Sequence, residues 1–264
     1  MVFELLDPRI LKVLKDKDIH EPTGPQKDAI PSILAGKHLL LVAPTGIGKT
    51  EAAMLPVLHK LITTPGKGIQ VLYVTPLRAL NRDMLRRMQE FGEALGLDVA
   101  VRHGDTPQSE RSRQSRRAPD ILITTPETLQ ILFTGKNLRA HLKNVRYFIV
   151  DEIHELANDE RGAQMSVAME RLVDLAGEYQ RIGLSATVGS MEEVARFLGG
   201  QRDVTIVKAN VTKEMQVQVL CPEITDLDRD LAGTLQCDAE LAACMRLCRE
   251  IIEKHTSTLL FVNT

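Results

Sequence analysis

The eight residues Ala43-Pro-Thr-Gly-Ile-Gly-Lys-Thr50 sit between an apolar run, Leu39 to Val42, and a segment of helical period from Glu51 to Leu61. A strand that opens into a glycine-bearing loop and re-enters as a helix beginning with Lys and Thr leaves few folds available. Gly46 and Gly48 let the backbone approach oxygen atoms closely, and the loop N–H groups join the helix N-terminus in a concave anion site. In such a loop Lys49 reaches the β- and γ-phosphates of a nucleotide, and the Thr50 hydroxyl ligates Mg2+. A turn without a ligand has no need of Lys followed by Thr at the helix start. Ala43 stands where the generic pattern has Gly, and with Thr45 it completes the expected ATP-binding loop.

The surroundings of the loop extend this to a fold class. From about residue 38 to 207, short apolar runs alternate with longer segments of helical period, which predicts an α/β fold: a parallel sheet with helices on both faces, in three layers. Expected strands are His38 to Val42, Gln70 to Val74, Leu97 to Arg102, Asp120 to Ile123, Val145 to Val150, Arg181 to Leu184 and Val204 to Val207. Leu77, Leu80, Met84, Met88, Phe91 and Leu95 recur at helical steps and stop at Gly96; Met165, Ala168, Met169, Leu172 and Val173 repeat the pattern. With 264 residues, 44% of them hydrophobic, the chain has material for one large core and an appendage. The expected division is a domain over 1–207 and a distinct tail over 208–264. In the tail we expect an extended Met215 to Leu220, an Asp-rich loop, a helix near Asp238 to Lys254 and a strand from Thr258 to Val262.

Val145 to Val150 ends at Asp151-Glu152-Ile153-His154, so two carboxylates emerge at the carboxyl edge of a buried strand, where open α/β sheets bind ligands. A lone Asp-Glu after a strand is commonly a helix cap. Paired with the phosphate loop, it supplies what that loop lacks: Asp151 to hold Mg2+ through water, and Glu152 to polarise the water attacking the γ-phosphate. The expected catalytic set is Lys49, Asp151 and Glu152, with Thr50 and Asp151 as metal ligands.

Net charge is −2, so any nucleic-acid contact has to come from local patches. Only 3% of residues are aromatic and there is no Trp, which disfavours a base-stacking platform and favours backbone gripping. The Arg-rich stretch Glu110 to Arg117 reads first as a solvated helix. No apolar run approaches the length of a membrane span and no secretory leader is recognisable, so a cytoplasmic protein without membrane contact is expected. The four cysteines do not form a disulfide framework; Cys244 and Cys248, one helical turn apart, read as buried small side chains rather than metal ligands.

With the two motifs fixed, Thr75-Pro-Leu-Arg-Ala-Leu80, Thr124-Thr-Pro-Glu127, Ser185-Ala-Thr187 and Leu259-Leu-Phe-Val-Asn-Thr264 follow in the order and spacing of superfamily 2 helicases, which the chain resembles along nearly its whole length. Glu21-Pro-Thr-Gly-Pro-Gln26 resembles the Q motif, whose glutamine, here Gln26, reads the adenine edge. Within the superfamily, Arg102-His-Gly-Asp-Thr-Pro-Gln-Ser-Glu-Arg111, Asp151-Glu-Ile-His-Glu-Leu156 and Arg161-Gly162 resemble the large helicase-related (Lhr) family, whose members are DNA-stimulated ATPases that move 3′ to 5′. The resemblance implies a RecA-like ATP-binding domain, with ATP and Mg2+ as cofactors. It implies that His154, Ser185 and Thr187 couple hydrolysis to strand movement, and that Thr75, Pro76, Arg78, Gly104, Thr125 and Pro126 contact a nucleic-acid backbone. The implied partner is single-stranded or tailed DNA in repair or recombination, with RNA as the alternative.

In that family ATP lies between two RecA-like domains, and the second supplies an arginine finger worth roughly 10³ to 10⁵ in rate. The resemblance places the start of that second domain at about Lys208 to Thr264 and implies further accessory domains. The expectation is therefore a motor domain whose full-length protein is a helicase. By itself it would be a nucleotide- and nucleic-acid-binding module of little turnover, with a tail prone to self-association.

Overall fold

The structure is a computed structural model; it describes residues 2–76, 78–157, 160–186, 189–209 and 217–261, of which 78–84 are described by backbone alone. It divides into two compact units, Met1–Val211 and Thr212–Thr264.

In the larger unit seven strands form one sheet: β1 (His38–Val42), β2 (Val71–Val74), β3 (Val99–Arg102), β4 (Ile121–Thr124), β5 (Tyr147–Val150), β6 (Gln180–Ser185) and β7 (Val204–Lys208). Their spatial order is β3-β4-β2-β5-β6-β1-β7, and every pairing is parallel. Four consecutive residues are buried in each of β2, β4 and β5, the near-continuous apolar strand that a sheet covered on both faces demands. Alternate residues separate the core into two layers. Leu39, Leu41, Val71, Tyr73, Ile149 and Leu184 pack under α1 (Pro8–Asp16), α2 (Gly24–Leu34), α3 (Lys49–Thr63) and α4 (Arg78–Leu95). Leu40, Val42, Leu72, Val74, Phe148 and Val150 pack on the other face. There the cover is α6 (Pro126–Leu132), α7 (Lys136–Leu142), α8 (Glu160–Ala176) and α9 (Met191–Gly199). The remaining helix, α5 (Gln108–Arg116), is short and carries the arginine cluster.

All seven expected strands are present, with ends moved by at most two residues. In α4 the expected core positions Met88, Phe91 and Leu95 are buried; Leu77 and the side chains of Leu80 and Met84 lie outside the description. In α5, Arg113 and Arg116 are exposed, as a solvated helix face requires, while Arg111 is half-buried. Arg111 donates to the carbonyls of His103 and Gly104, and buried Gln114 donates to the Val101 carbonyl.

The smaller unit departs from expectation. The Asp-rich stretch contains a helix, α10 (Asp226–Leu235), because Thr225 and Asp228 form a reciprocal capping box that turns a loop-like composition into a helix start. Asp228 is 1% exposed and also takes Arg246 from α11 (Ala239–Lys254), which pins the two helices into a hairpin. Thr258 to Phe261 has no strand structure, and neither does Val217 to Leu220; the other ends of both expected strands lie outside the described residues. A strand needs a neighbour to complete its hydrogen bonds, and the described part of this unit offers only helices. Cys244 is exposed and Cys248 only half-buried, against the expectation of burial, because the inward face of α11 runs through Ala242 and Ala243.

Candidate ATP and nucleic-acid site

Parallel strands bring six of the singled-out segments to one edge. The loop from Ala43 follows β1, Thr75-Pro76 follows β2, Gly104 lies two residues beyond β3, Thr125-Pro126 follows β4, Asp151-Glu152 follows β5, and Ser185 closes β6. Register aligns Val42 with Ser185 and Val150 with Gly183, so the loop, the acidic pair and the Ser185 turn are neighbours at the sheet's carboxyl edge.

Gly46 and Gly48 both take left-handed conformations, with φ of 79° and 80°, and Gly48 is the N-cap of α3. A Cβ on Gly48 would lie 2.6 Å from Gln26 Nε2. Gln26 is buried where α2 starts: its Oε1 accepts from the Thr23 N–H at 3.0 Å and its Nε2 donates to the Gly48 carbonyl at 3.4 Å, while the Thr23 hydroxyl donates to the Ile47 carbonyl. The expected base reader is thus built into the wall of the phosphate loop. Lys49 is buried; its Nζ donates to the Ala43 carbonyl at 2.9 Å and the Ser185 carbonyl at 3.2 Å, and lies 3.9 Å from Glu152 Oε1.

Asp151 is buried, accepting from the Tyr73 hydroxyl at 2.7 Å on Oδ2 and from the Glu152 N–H at 3.0 Å on Oδ1. Glu152 itself has φ 47°, a left-handed conformation that costs a side-chain-bearing residue roughly 1–2 kcal/mol and turns its carboxylate back toward the loop. Burial raises the Glu152 carboxyl above its ordinary range, with Lys49 opposing. His154 Nδ1 lies 3.2 Å from the Ser185 hydroxyl and 3.4 Å from Glu152 Oε2, so one imidazole joins the turns after β5 and β6. Thr187 lies outside the described residues, as does the side chain of Arg78 at the start of α4.

These residues fit a nucleotide with Mg2+. Thr50 and Asp151 offer the hard oxygen donors Mg2+ takes, the loop offers two left-handed glycines beside a buried ammonium, and Glu152 Oε2 is buried with no hydrogen-bond partner, an acceptor that a water would satisfy. Among the described residues no three His, Cys, Asp or Glu side chains gather as a separate metal cluster.

At the expected nucleic-acid turns, Thr75, Pro76, Thr125 and Pro126 are buried, and Thr125 caps α6 by accepting from the Thr128 N–H; Gly104 is exposed. Glu127 at the start of α6 pairs with Arg161 of α8 at 2.7 Å, tying the turn after β4 to the helix that follows the acidic pair. Tyr73 escaped the sequence reading. Its signal is a phenol in an otherwise aliphatic strand, since a buried hydroxyl needs a polar partner.

The family model of the DEAD/DEAH box helicase matches residues 23–195. The ATP-dependent helicase Lhr-Core of Methanothermobacter thermautotrophicus is 40% identical over 92% of this chain and 30% of that protein. Lhr-Core of Sulfolobus acidocaldarius is 38% identical over 100% of this chain and 31% of that protein. The solved structure of the Mycobacterium smegmatis helicase Lhr, bound to ssDNA and AMP-PNP, aligns with a TM-score of 0.76 and 36% identity over 89% of this chain and 33% of that one. The chain therefore spans about a third of the length of these relatives. The matched region opens at the residue capping α2 and closes inside α9, so it takes in every strand-end loop of the site, and the chain belongs to the DEAD/DEAH box helicase family.

Proposed function

We propose that this chain is the ATP-binding motor domain of an Lhr-type, ATP-dependent DNA helicase. The observation that carries the proposal is the meeting of Lys49, Thr50, Asp151 and Glu152 at the sheet edge that also presents the turns after β2, β3 and β4. In this reading Ala43, Thr45, Gly46, Gly48 and Lys49 hold the phosphates, and Gln26 turns its amide from Gly48 to the adenine edge. Thr50 and Asp151 ligate Mg2+, which when bound neutralises charge on the β- and γ-phosphates. Glu152 orients the attacking water and takes its proton. His154, Ser185 and Thr187 carry the resulting movement to the neighbouring turns. Gly104 is exposed and offers its backbone to a nucleic-acid strand, whereas Thr75, Pro76, Thr125 and Pro126 are buried and in this reading hold the shape of the neighbouring turns, in keeping with phosphate rather than base recognition.

The relatives' ssDNA-bound structure supports DNA as the strand, and movement 3′ to 5′ is the direction we infer from the family resemblance. Residues 1–207 would form the ATP-binding domain and 208–264 the linker and opening of a second RecA-like domain, followed by accessory domains in the full protein. Glu152→Gln is the test. Binding of a fluorescent ATP analogue is expected to stay within about threefold of the wild type. Single-turnover hydrolysis, stimulated by oligo-dT more than by oligo-rU, is expected to fall at least roughly 10²-fold. Unchanged hydrolysis in the variant would remove Glu152 from its role, and stimulation by RNA alone would reverse the substrate assignment.

A further inference from the structure

Tyr73 is wholly buried on β2, one residue short of the strand's end, and its hydroxyl meets a residue of the site. It donates to Asp151 Oδ2 at 2.7 Å, while Asp151 Oδ1 accepts from the Glu152 N–H at 3.0 Å. Asp151 follows β5, the strand that pairs with β2, so the contact crosses from one strand to its neighbour. A phenol rising from the neighbouring strand therefore stands behind the carboxylate whose oxygens have to face the metal ion. A purely structural tyrosine in this core has no need of that position, because Phe would fill the same volume without bringing a hydroxyl to be satisfied.

We propose that Tyr73 is a positioning residue for the Mg2+ site: its hydroxyl, donating to Asp151 Oδ2, holds the Asp151 carboxylate in one orientation while the metal is away, so that its remaining lone pairs face the loop. The inference rests on the reading of Thr50 and Asp151 as the Mg2+ ligands. Partners behind a metal ligand commonly contribute about 10- to 100-fold to metal affinity.

Tyr73→Phe tests this. A mant-labelled AMP-PNP is titrated with Mg2+, and separately bound in EDTA. In the variant the half-saturating Mg2+ concentration is expected to rise about tenfold, with metal-free nucleotide affinity within about twofold of wild type; the second measurement also reports that the loop is folded. An unchanged or lowered half-saturating Mg2+ concentration overturns the proposal. A readout on the unmutated protein stands beside it. The chain has three Tyr and no Trp, so its emission is tyrosine emission, and a phenol bonded to a carboxylate is quenched. Mg2+ with AMP-PNP is expected to change that emission, AMP-PNP in EDTA is not, and Tyr73→Phe is expected to lose the change; no Mg2+-dependent change in the wild type counts against the proposal. Asp151→Asn separates the two levels: if it leaves the Mg2+ dependence intact, the metal-site reading itself fails, whatever Tyr73 does.

Discussion

Replacing Gly162 by Ala adds one methyl group where the structure has no room. Gly162 lies in the first turn of α8, and an added Cβ would stand 2.0 Å from the backbone carbonyl oxygen of Leu156, more than an ångström inside ordinary contact. The obstacle is backbone, so no rotamer relieves it; either the start of α8 or the turn after Asp151-Glu152 has to move. The same Cβ would also stand 3.4 Å from Phe197 Cε2. Overpacking of this kind costs about 1–3 kcal/mol, and the gain in helix propensity from Gly to Ala returns at most ~1 kcal/mol. A clash this deep belongs at the upper end, which leaves a net loss of about 2 kcal/mol and, for a domain of this size, a Tm lower by roughly 4–8 °C. Where the turn is what yields, it carries Glu152 and His154, so hydrolysis is expected to fall by up to about 10²-fold, as a misplacement of 1 Å can cause. Scanning calorimetry and single-turnover hydrolysis of Gly162→Ala measure both. A Tm equal to or above that of the wild type would refute the argument, because it would mean that the close approach of α8 to Leu156 is not a constraint.

Two further outcomes are independent of catalysis. Arg181, 1% exposed, pairs with Glu170 at 2.9 Å and donates to the Leu198 carbonyl, so Glu170→Ala leaves a buried guanidinium short of its counter-charge. The expected cost in urea denaturation is about 2 kcal/mol, below the ~3–5 of a fully buried pair because Glu170 is half exposed, and a loss under ~0.5 kcal/mol would exclude the pair as a stabilising contact. Asp7 caps α1, and its hydrogen bonds with Arg9 bring its pKa from 3.8 to about 2. A depressed folded-state pKa stabilises above the unfolded value and fades as pH falls from about 4 toward 2. The stability gap between wild type and Asp7→Asn should therefore be full at pH 6 and narrow below pH 4; a gap independent of pH across that window would disprove the linkage.

The parallel sheet was readable because its strands are covered on both faces and so appear as uninterrupted apolar runs, each followed by a helix period. The edge at which chemistry gathers followed from the same pattern, since parallel strands put all their C-terminal loops together. What sequence could not supply was contact across strands. Tyr73 is separated from Asp151 by 78 residues, and only the β2–β5 pairing brings the phenol to the carboxylate. The partners of Gln26 were hidden for the same reason: a residue identified by its motif as a base reader is also part of a capping box at α2, and that second use depends on how α2 meets the loop. In the smaller unit, composition misled. Aspartates read as loop formers because their side chains compete for backbone hydrogen bonds, and the same competition at Thr225 and Asp228 starts a helix instead. Cys244 and Cys248 share an apolar stripe in sequence, yet the seam of α11 runs along its two alanines.

Lys49 spends its charge on two carbonyl oxygens, one from each of two adjacent strands. A phosphate that claims the ammonium must first part it from Ala43 and Ser185, so the loop contains its own competitor for nucleotide. Hydrogen bonds to a charged group are worth about 1.5–3 kcal/mol, and the measured affinity is what remains after they are exchanged. In the proposed function, a γ-phosphate that claimed Lys49 would leave the Ser185 carbonyl without that partner while the Ser185 hydroxyl still faces His154, so occupancy of the loop would be registered at the end of β6 before any bond is cleaved.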